Sequence, residues 1–293
     1  LGAVSISDKK VLSIYSRSGS LYPNIFGASE NMSSPSLLHA TSIIAPGVEI
    51  GEGTRVGAYA VIGEGVRLGR DNIVGPHAVV EGDTEIGDRN HIFQFASVGA
   101  QPQDLKFSGG NSRLRIGDGN VFREHVTIHS GAARPLGVTS IGDGNLFMAN
   151  AHVAHDCRIG NHTRFVNGAM IAGYGEVGDH AFLSGLVAVH QFTRIGAYAF
   201  VAAGAMVSQD VPPFCLAQGD RARLVSLNEV GLRRNGFIEA DVLMLRKVFR
   251  MLFRHGGSKA ERMAAVSHSY GERRGVDQLL TFLSDSRRGL AAA

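Results

Sequence analysis

From Ile44 to Val207 the chain sets an apolar side chain at six-residue intervals. The first run is Ile44, Ile50, Val56, Ile62, Leu68, Val74, Val80, Ile86, Ile92 and Val98; the second is Ile116, Phe122 and Ile128. The third runs from Ile141 through Phe147, Val153, Ile159, Phe165, Ile171, Val177, Leu183, Val189, Ile195 and Val201 to Val207. A small residue recurs four places after the apolar one, as at Thr54, Ala60, Ala78, Thr84, Ala169 and Ala199. Glycine often follows the apolar residue directly, as at Gly51, Gly57, Gly63, Gly69, Gly142, Gly160 and Gly196. A period of six matches neither the turn of a helix nor the alternation of a strand. It fits a short strand joined to a tight turn, with two inward side chains per unit, one branched and one small. Stacked units of this kind make a solenoid, and glycine or asparagine is expected at the left-handed turn positions.

The interruptions bound the elements. Residues 1–37 precede the register and are expected to be a poorly ordered extension. The coil is expected over 38–213, with insertions at 100–114, which ends in a Gly-Gly turn, and at 131–140, small and basic around Arg134. A solenoid carries its insertions on one face, often the binding face. Pro212 and Pro213 are expected to end strand pairing, leaving 214–293 as a small helical domain that caps the open end of the coil. Within it, Phe237 to Arg254 has Val242, Leu243, Leu245, Val248, Met251 and Leu252 at helical spacing, Ser258 is placed to cap a second helix, and Val276 to Phe282 lies on a third.

Composition narrows the classes. Thirty-eight glycines against eight prolines in 293 residues exclude a helical bundle, and the Gly-X-Y period of collagen is missing. Cys157 and Cys215 supply neither a disulfide framework nor a metal-type spacing, which suits a reducing compartment. No apolar run is long enough to span a membrane, and no secretory signal opens the chain; the cytoplasm is expected. The formal charge of +3 is uneven: twelve Lys or Arg against six Asp or Glu follow from Arg233 onward, a surplus of six, which leaves minus three before it. A basic tail suits an acidic or phosphorylated partner. Nucleic acid is not expected, since no aromatics interleave with the charges.

One stretch carries chemistry. Asn150-Ala151-His152-Val153-Ala154-His155-Asp156-Cys157-Arg158 puts two histidines three residues apart and a carboxylate after the second. His155, two places after the inward Val153, is expected at a corner of the coil. A neutral imidazole accepts a proton near neutral pH, and Asp156 can orient it and stabilise the cation. Consecutive strand residues face opposite ways, so direct pairing requires a turn there.

The hexad pattern resembles that of the hexapeptide-repeat acyltransferases. The string from Met148 to Cys157 resembles the signature of UDP-N-acetylglucosamine O-acyltransferases, which begin lipid A biosynthesis. Further matches are Gln94-Phe95-Ala96-Ser97, Gln103-Asp104-Leu105-Lys106, Val126-Thr127-Ile128-His129, Ala188-Val189-His190-Gln191-Phe192, Gln209-Asp210-Val211-Pro212-Pro213, Ala217-Gln218-Gly219 and Gly231-Leu232-Arg233-Arg234. The resemblance covers about Ser42 to the C-terminus. It implies a mainly β chain: a left-handed parallel β-helix, three hexads per turn, followed by a small α-helical domain. The left hand comes from the resemblance alone, because ordinary parallel crossovers favour the right.

The same resemblance assigns roles. His155 is the general base on the sugar 3-hydroxyl, Asp156 orients it, and the Gly173 N–H stabilises the oxyanion. His152, Asp104 and Lys106 position the sugar and its phosphates; Gln191, Asn228 and Arg234 hold the nucleotide end; His190 lies near the cleft. Ala203 stands at the acyl chain-length position, where its methyl is expected to exclude about one methylene. The donor is a 3-hydroxyacyl thioester on the phosphopantetheine of acyl carrier protein, the acceptor is UDP-N-acetylglucosamine, no metal or dissociable cofactor is needed, and the assembly is a homotrimer with sites between coils. Three residues depart from the family pattern: Tyr174 replaces a common histidine, Val230 a carboxylate, and Asn235 a second arginine. Tyr174 keeps open N-acylation of a 3-amino UDP-sugar. His129, His152 and His155 also suggest the zinc histidines of gamma-type carbonic anhydrases, a remote alternative that shares the fold.

Overall fold

The structure is a computed structural model that describes residues 37–132 and 137–293. The expected extension, save Leu37, and the basic residue Arg134 lie outside the described residues. Strands of mostly two residues follow one another through three parallel sheets, so that each pairs with the strand three places on. Face one begins at Ile43–Ile44, face two at Glu49–Ile50 and face three at Arg55–Val56; among the described residues they hold nine, eight and ten strands. Ile44 pairs with Ile62 and Ile62 with Val80, eighteen residues per coil, the three hexads of the expected β-helix.

Every apolar hexad residue from Val56 to Val207 is 5% exposed or less. The residue before each is exposed or half-buried, save Leu146, which is buried. The small inward slot between faces two and three becomes a polar ladder: the side-chain oxygens of Thr54, Asn72, Asn90, Asn120 and Asn145 each accept the backbone N–H of the equivalent residue one coil on. Buried amides so paired carry little desolvation cost.

The turns correct one expectation. Glycine or asparagine does not dominate the left-handed positions: Tyr59, His77, Phe95 and His125 occupy one corner with φ near +60°, and His162, His180, Tyr198 and Phe214 another. Their rings stack coil on coil at 4.7 to 5.8 Å between centroids. A left-handed non-glycine residue costs about 1–2 kcal/mol, and each stacked pair returns about 0.5–1.5. The hexad glycines serve closeness instead: a Cβ on Gly51 would sit 2.4 Å from the Gly69 carbonyl oxygen.

Across the first insertion Val98 pairs with Ile128, thirty residues on, and across the second Phe122 pairs with Phe147, twenty-five on. The insertions thus add twelve (30 against 18) and seven (25 against 18) residues to their coils. Both leave the coil between a face-one strand and a face-two strand, so both project from one corner.

The expectation that pairing stops at Pro212 and Pro213 is also corrected. Cys215–Gln218 still pairs parallel with Phe200–Val201, and Arg223–Leu227 folds back antiparallel on it. The prolines fall in the turn, while Val211 and Phe214 on either side donate their N–H groups to Arg194 and Ala197. Helices follow: α1 (Glu229–Arg234), α2 (Glu239–Phe253), α3 (Lys259–Tyr270) and α4 (Val276–Ser284). Ser258 caps α3 in a capping box with Glu261. On α2 the buried stripe is Val242, Leu245, Val248, Phe249 and Leu252, and Leu243 is exposed.

Candidate active site

The corner that bears both insertions also bears His155. The chain leaves face one at His152–Val153 and turns at His155 and Asp156, with Asp156 at φ 58°. That turn lets adjacent side chains meet: His155 Nδ1 lies 2.8 Å from Asp156 Oδ2. The same oxygen accepts the N–H of Ala132, from the second insertion, and the Asp156 N–H donates to Thr139 Oγ1 at 2.8 Å. A carboxylate only accepts, so Nδ1 carries the proton and Nε2 keeps its lone pair.

Gly173 stands one coil above. A Cβ there would lie 2.6 Å from His155 Cε1 and 2.7 Å from Nε2, so only glycine leaves room for the ring. Among the described residues its N–H meets no acceptor, whereas those of Ala172 and Tyr174 bond Val189 and His155. A basic nitrogen and a free N–H donor therefore open on the same space, the arrangement an acyl-transfer tetrahedral intermediate requires.

A groove of about 920 Å³ runs from this point along face one. His152, His190 and Gln191 line it with His155 and Gly173. His152 Nδ1 is 2.7 Å from Thr127 Oγ1, and its ring meets His129 edge-on at 4.8 Å. Burial, then the neighbouring His129, pushes the His152 pKa down to about 4, so it binds as a neutral imidazole. His190 Nδ1 lies 3.1 Å from the Gln191 carbonyl, leaving Nε2 as acceptor. Tyr174 sits edge-on to His155 at 5.4 Å and stacks on Phe192 at 4.6 Å. Burial, then the charges of Asp156 and Asp104, raise its pKa; the phenol stays a neutral donor.

Other sequence candidates lie elsewhere. Asp104 and Lys106 are on the first insertion, where Asp104 Oδ1 accepts the Lys106 N–H; neither lines the groove, although Gln103 does. Asn228 caps α1, accepting from Gly231 and donating to the Tyr198 carbonyl. Arg234, on α1, and Ala203, at an exposed turn between faces three and one, are outside the groove. Val230 is exposed on α1, and Asn235 donates to the Gly231 carbonyl at its C-cap. The sequence reading named His129 only in a motif match and as a zinc candidate, and it missed Met170, Met206, Arg223 and Ala292 as groove residues. His129 carried a signal, being a polar residue in a place that glycine often takes after a hexad apolar; among the described residues its buried Nδ1 has no hydrogen-bond partner.

Among the described residues no three His, Cys, Asp or Glu side chains are arranged to hold a metal ion. His152 and His155 commit Nδ1 to Thr127 and Asp156. Burial pushes the Cys157 thiol up to about 12 and Cys215 higher still, so neither is a nucleophile at neutral pH.

Residues 210–291 match the family described as UDP-N-acetylglucosamine O-acyltransferase, domain 2, and residues 139–173 the bacterial transferase hexapeptide. An acyl-[acyl-carrier-protein]–UDP-N-acetylglucosamine O-acyltransferase of Myxococcus xanthus is 48% identical over 253 residues, 86% of this chain and 98% of that protein. The chain belongs to this family. The namesake from Thiobacillus denitrificans is 43% identical over 86% of this chain and 98% of its own. The UDP-N-acetylglucosamine acyltransferase structure of Francisella novicida superposes with a TM-score of 0.85 at 34% identity, covering 87% of this chain and 94% of that one. That of Campylobacter jejuni gives 0.83 at 36%, covering 87% and 99%. The coil is the left-handed parallel β-helix of these O-acyltransferases.

Proposed function

We propose that this chain moves a 3-hydroxyacyl group from acyl carrier protein to the 3-hydroxyl of UDP-N-acetylglucosamine, the first step of lipid A biosynthesis, with His155 as general base. One observation carries the mechanism: His155 is held through Nδ1 by Asp156, with the opposite edge of the ring against Gly173, which lines the same groove and whose N–H meets no acceptor among the described residues. Nε2 takes the hydroxyl proton as the oxygen attacks the thioester carbonyl. The Gly173 N–H receives the developing oxyanion. Collapse breaks the C–S bond, and the imidazolium returns its proton to the departing phosphopantetheine thiolate. Asp156 stabilises the cation in between. The residues supply base and oxyanion donor by themselves, so we assign the reaction no metal and no dissociable cofactor. The acyl group arrives on the arm of its carrier, whose acidic surface suits the basic helical tail.

His152, His190 and Gln191 line the groove to orient the sugar, and Tyr174 stands beside His155 at 5.4 Å. Asp104 and Lys106 stand on the first insertion, with Asp104 near enough to act on Tyr174, whereas Asn228 and Arg234 reach a bound nucleotide only if a neighbouring chain completes the site. We therefore infer a homotrimer, and the outward residues support it. Face two presents an ion-pair ladder, Arg67 and Arg115 to Glu85 and Arg158 and Arg194 to Glu176, which favours water. Face one presents Ile43, Met170 and Met206, and its corner with face three Tyr59, Phe95 and Leu186, each at least 45% exposed. An exposed apolar array of this extent marks an association surface. Ala203 lies on that same corner and can shape the acyl path against a partner coil. Among the described residues no helix is long and apolar enough to cross a membrane; we place the protein in the cytoplasm, which also suits its buried free thiols.

Purified protein with 3-hydroxyacyl carrier protein is to be offered UDP-N-acetylglucosamine and its 3-amino analogue in parallel. The ester is expected as the favoured product; an amide formed to the exclusion of ester would transfer the reading to the amino sugar.

A further inference from the structure

Four imidazoles line the groove, His129, His152, His155 and His190, and the contacts each makes away from it decide which nitrogen carries the proton. His155 gives its Nδ1–H to Asp156, and His190 directs Nδ1 at the Gln191 carbonyl, so both turn an Nε2 lone pair toward a ligand. His152 shares Nδ1 with the Thr127 hydroxyl, which can donate or accept, and its tautomer follows what is bound. His129 has no such partner.

The His129 ring is 5% exposed and meets His152, one coil on, edge-on at 4.8 Å. Burial, then the neighbouring His155, holds its pKa below the ordinary histidine value, so the ring is neutral and has one N–H to place. Nδ1 is buried, and among the described residues it meets neither donor nor acceptor. A proton there would be a buried donor without an acceptor, which folded proteins avoid more strictly than an unused lone pair. The proton therefore sits on Nε2, the nitrogen that opens on the groove. Of the four rings, His129 is the one fixed as a donor.

A fixed donor calls for an atom that only accepts. Gly173, one coil after His155, receives the thioester oxygen, which leaves the coil before, where His129 stands, to the sugar. On UDP-N-acetylglucosamine the 3-hydroxyl is flanked by a 4-hydroxyl, which gives or takes a hydrogen bond, and by the 2-acetamido group, whose carbonyl oxygen only accepts. We propose that His129 is a specificity-determining residue for the acceptor: its Nε2–H donates to the acetamido carbonyl and so separates N-acetylated from free 2-amino nucleotide sugars. The inference rests on the acyl-transfer reading above. A free 2-amine lacks that oxygen and, once protonated, brings donors alone to a site that already presents one.

Calorimetric titration with UDP-N-acetylglucosamine and UDP-glucosamine reads this without requiring turnover. The unaltered protein is expected to bind the acetylated sugar nucleotide about tenfold more tightly or better. His129→Phe, which keeps a ring but no N–H, is expected to bring the two within about threefold by weakening the acetylated one, and His129→Gln, whose amide offers a donor again, to recover most of the difference. Equal affinities in the unaltered protein, or an undiminished preference in His129→Phe with the melting temperature kept, overturn the role of His129 alone. Unaltered protein that binds neither sugar nucleotide overturns the acceptor and the inference together.

Discussion

His155 does its work because two neighbours deny it other arrangements. Asp156 fixes the proton on Nδ1, and Gly173 leaves space for the ring that any side chain would fill. His155→Ala should lower kcat by about a hundredfold to ten-thousandfold with the melting temperature kept. Asp156→Asn should lower kcat while leaving KM for the sugar nucleotide within a few-fold; a comparable rise in KM would mean that the carboxylate binds substrate. Ala203→Gly should extend the accepted chain by about one methylene in a donor ladder, and no extension would remove Ala203 from the acyl path. His152 links the site to stability. Its pKa falls from 6.5 to about 4 on folding, because burial and His129 oppose the charge. Between those values the unfolded chain binds the extra proton, so stability declines as pH falls through that window and levels off below it, by about 3 kcal/mol at most. Urea titrations at pH 7.5 and 4.5 check this: His152→Asn should lose less stability between them than the unaltered protein, and an equal loss would refute it.

At the scale of the elements, two-residue strands hold because every coil repeats the one below. The hexad glycines keep neighbouring turns in contact, with ordinary backbone angles. Gly51→Ala should therefore cost about 1–3 kcal/mol, as overpacking does, since the intruding Cβ meets backbone that cannot rotate away. Chemical denaturation measures it, and an unchanged midpoint would show that the coils can spread. The aromatic and histidine stacks follow the same logic. Eighteen residues separate Tyr59 from His77 and His77 from Phe95, so ring meets ring wherever the corner residue is aromatic. Hexad periodicity makes the strands and the inward rows legible in the sequence. It says nothing about which residues thirty or twenty-five apart are neighbours, because the insertions alter the count at two coils.

For the whole molecule, the three faces divide labour: one charged toward water, two with apolar outward residues meeting at an apolar corner. Leu186, 68% exposed on that corner, is the sharpest probe of assembly. Leu186→Glu should convert a trimer to monomer in sedimentation and abolish transfer, since the nucleotide-end residues Asn228 and Arg234 do not face the groove of their own chain. A fully active monomer would refute the shared site. The prolines at 212 and 213 show why the end of the coil was hard to read: proline forbids a ladder bond only where the N–H is needed, and these two sit in a turn.

The sequence by itself determined the coil, its three-hexad turn through the family pattern, the helical cap of α3 and the pairing of base and carboxylate, because each depends on spacing within a few residues or on one repeated step. Only the tertiary structure decided that both insertions share the corner of His155, and that His129, Arg223 and Ala292 join the groove while Asn228 and Arg234 turn away. Those contacts join residues scores of positions apart, and no local period encodes them.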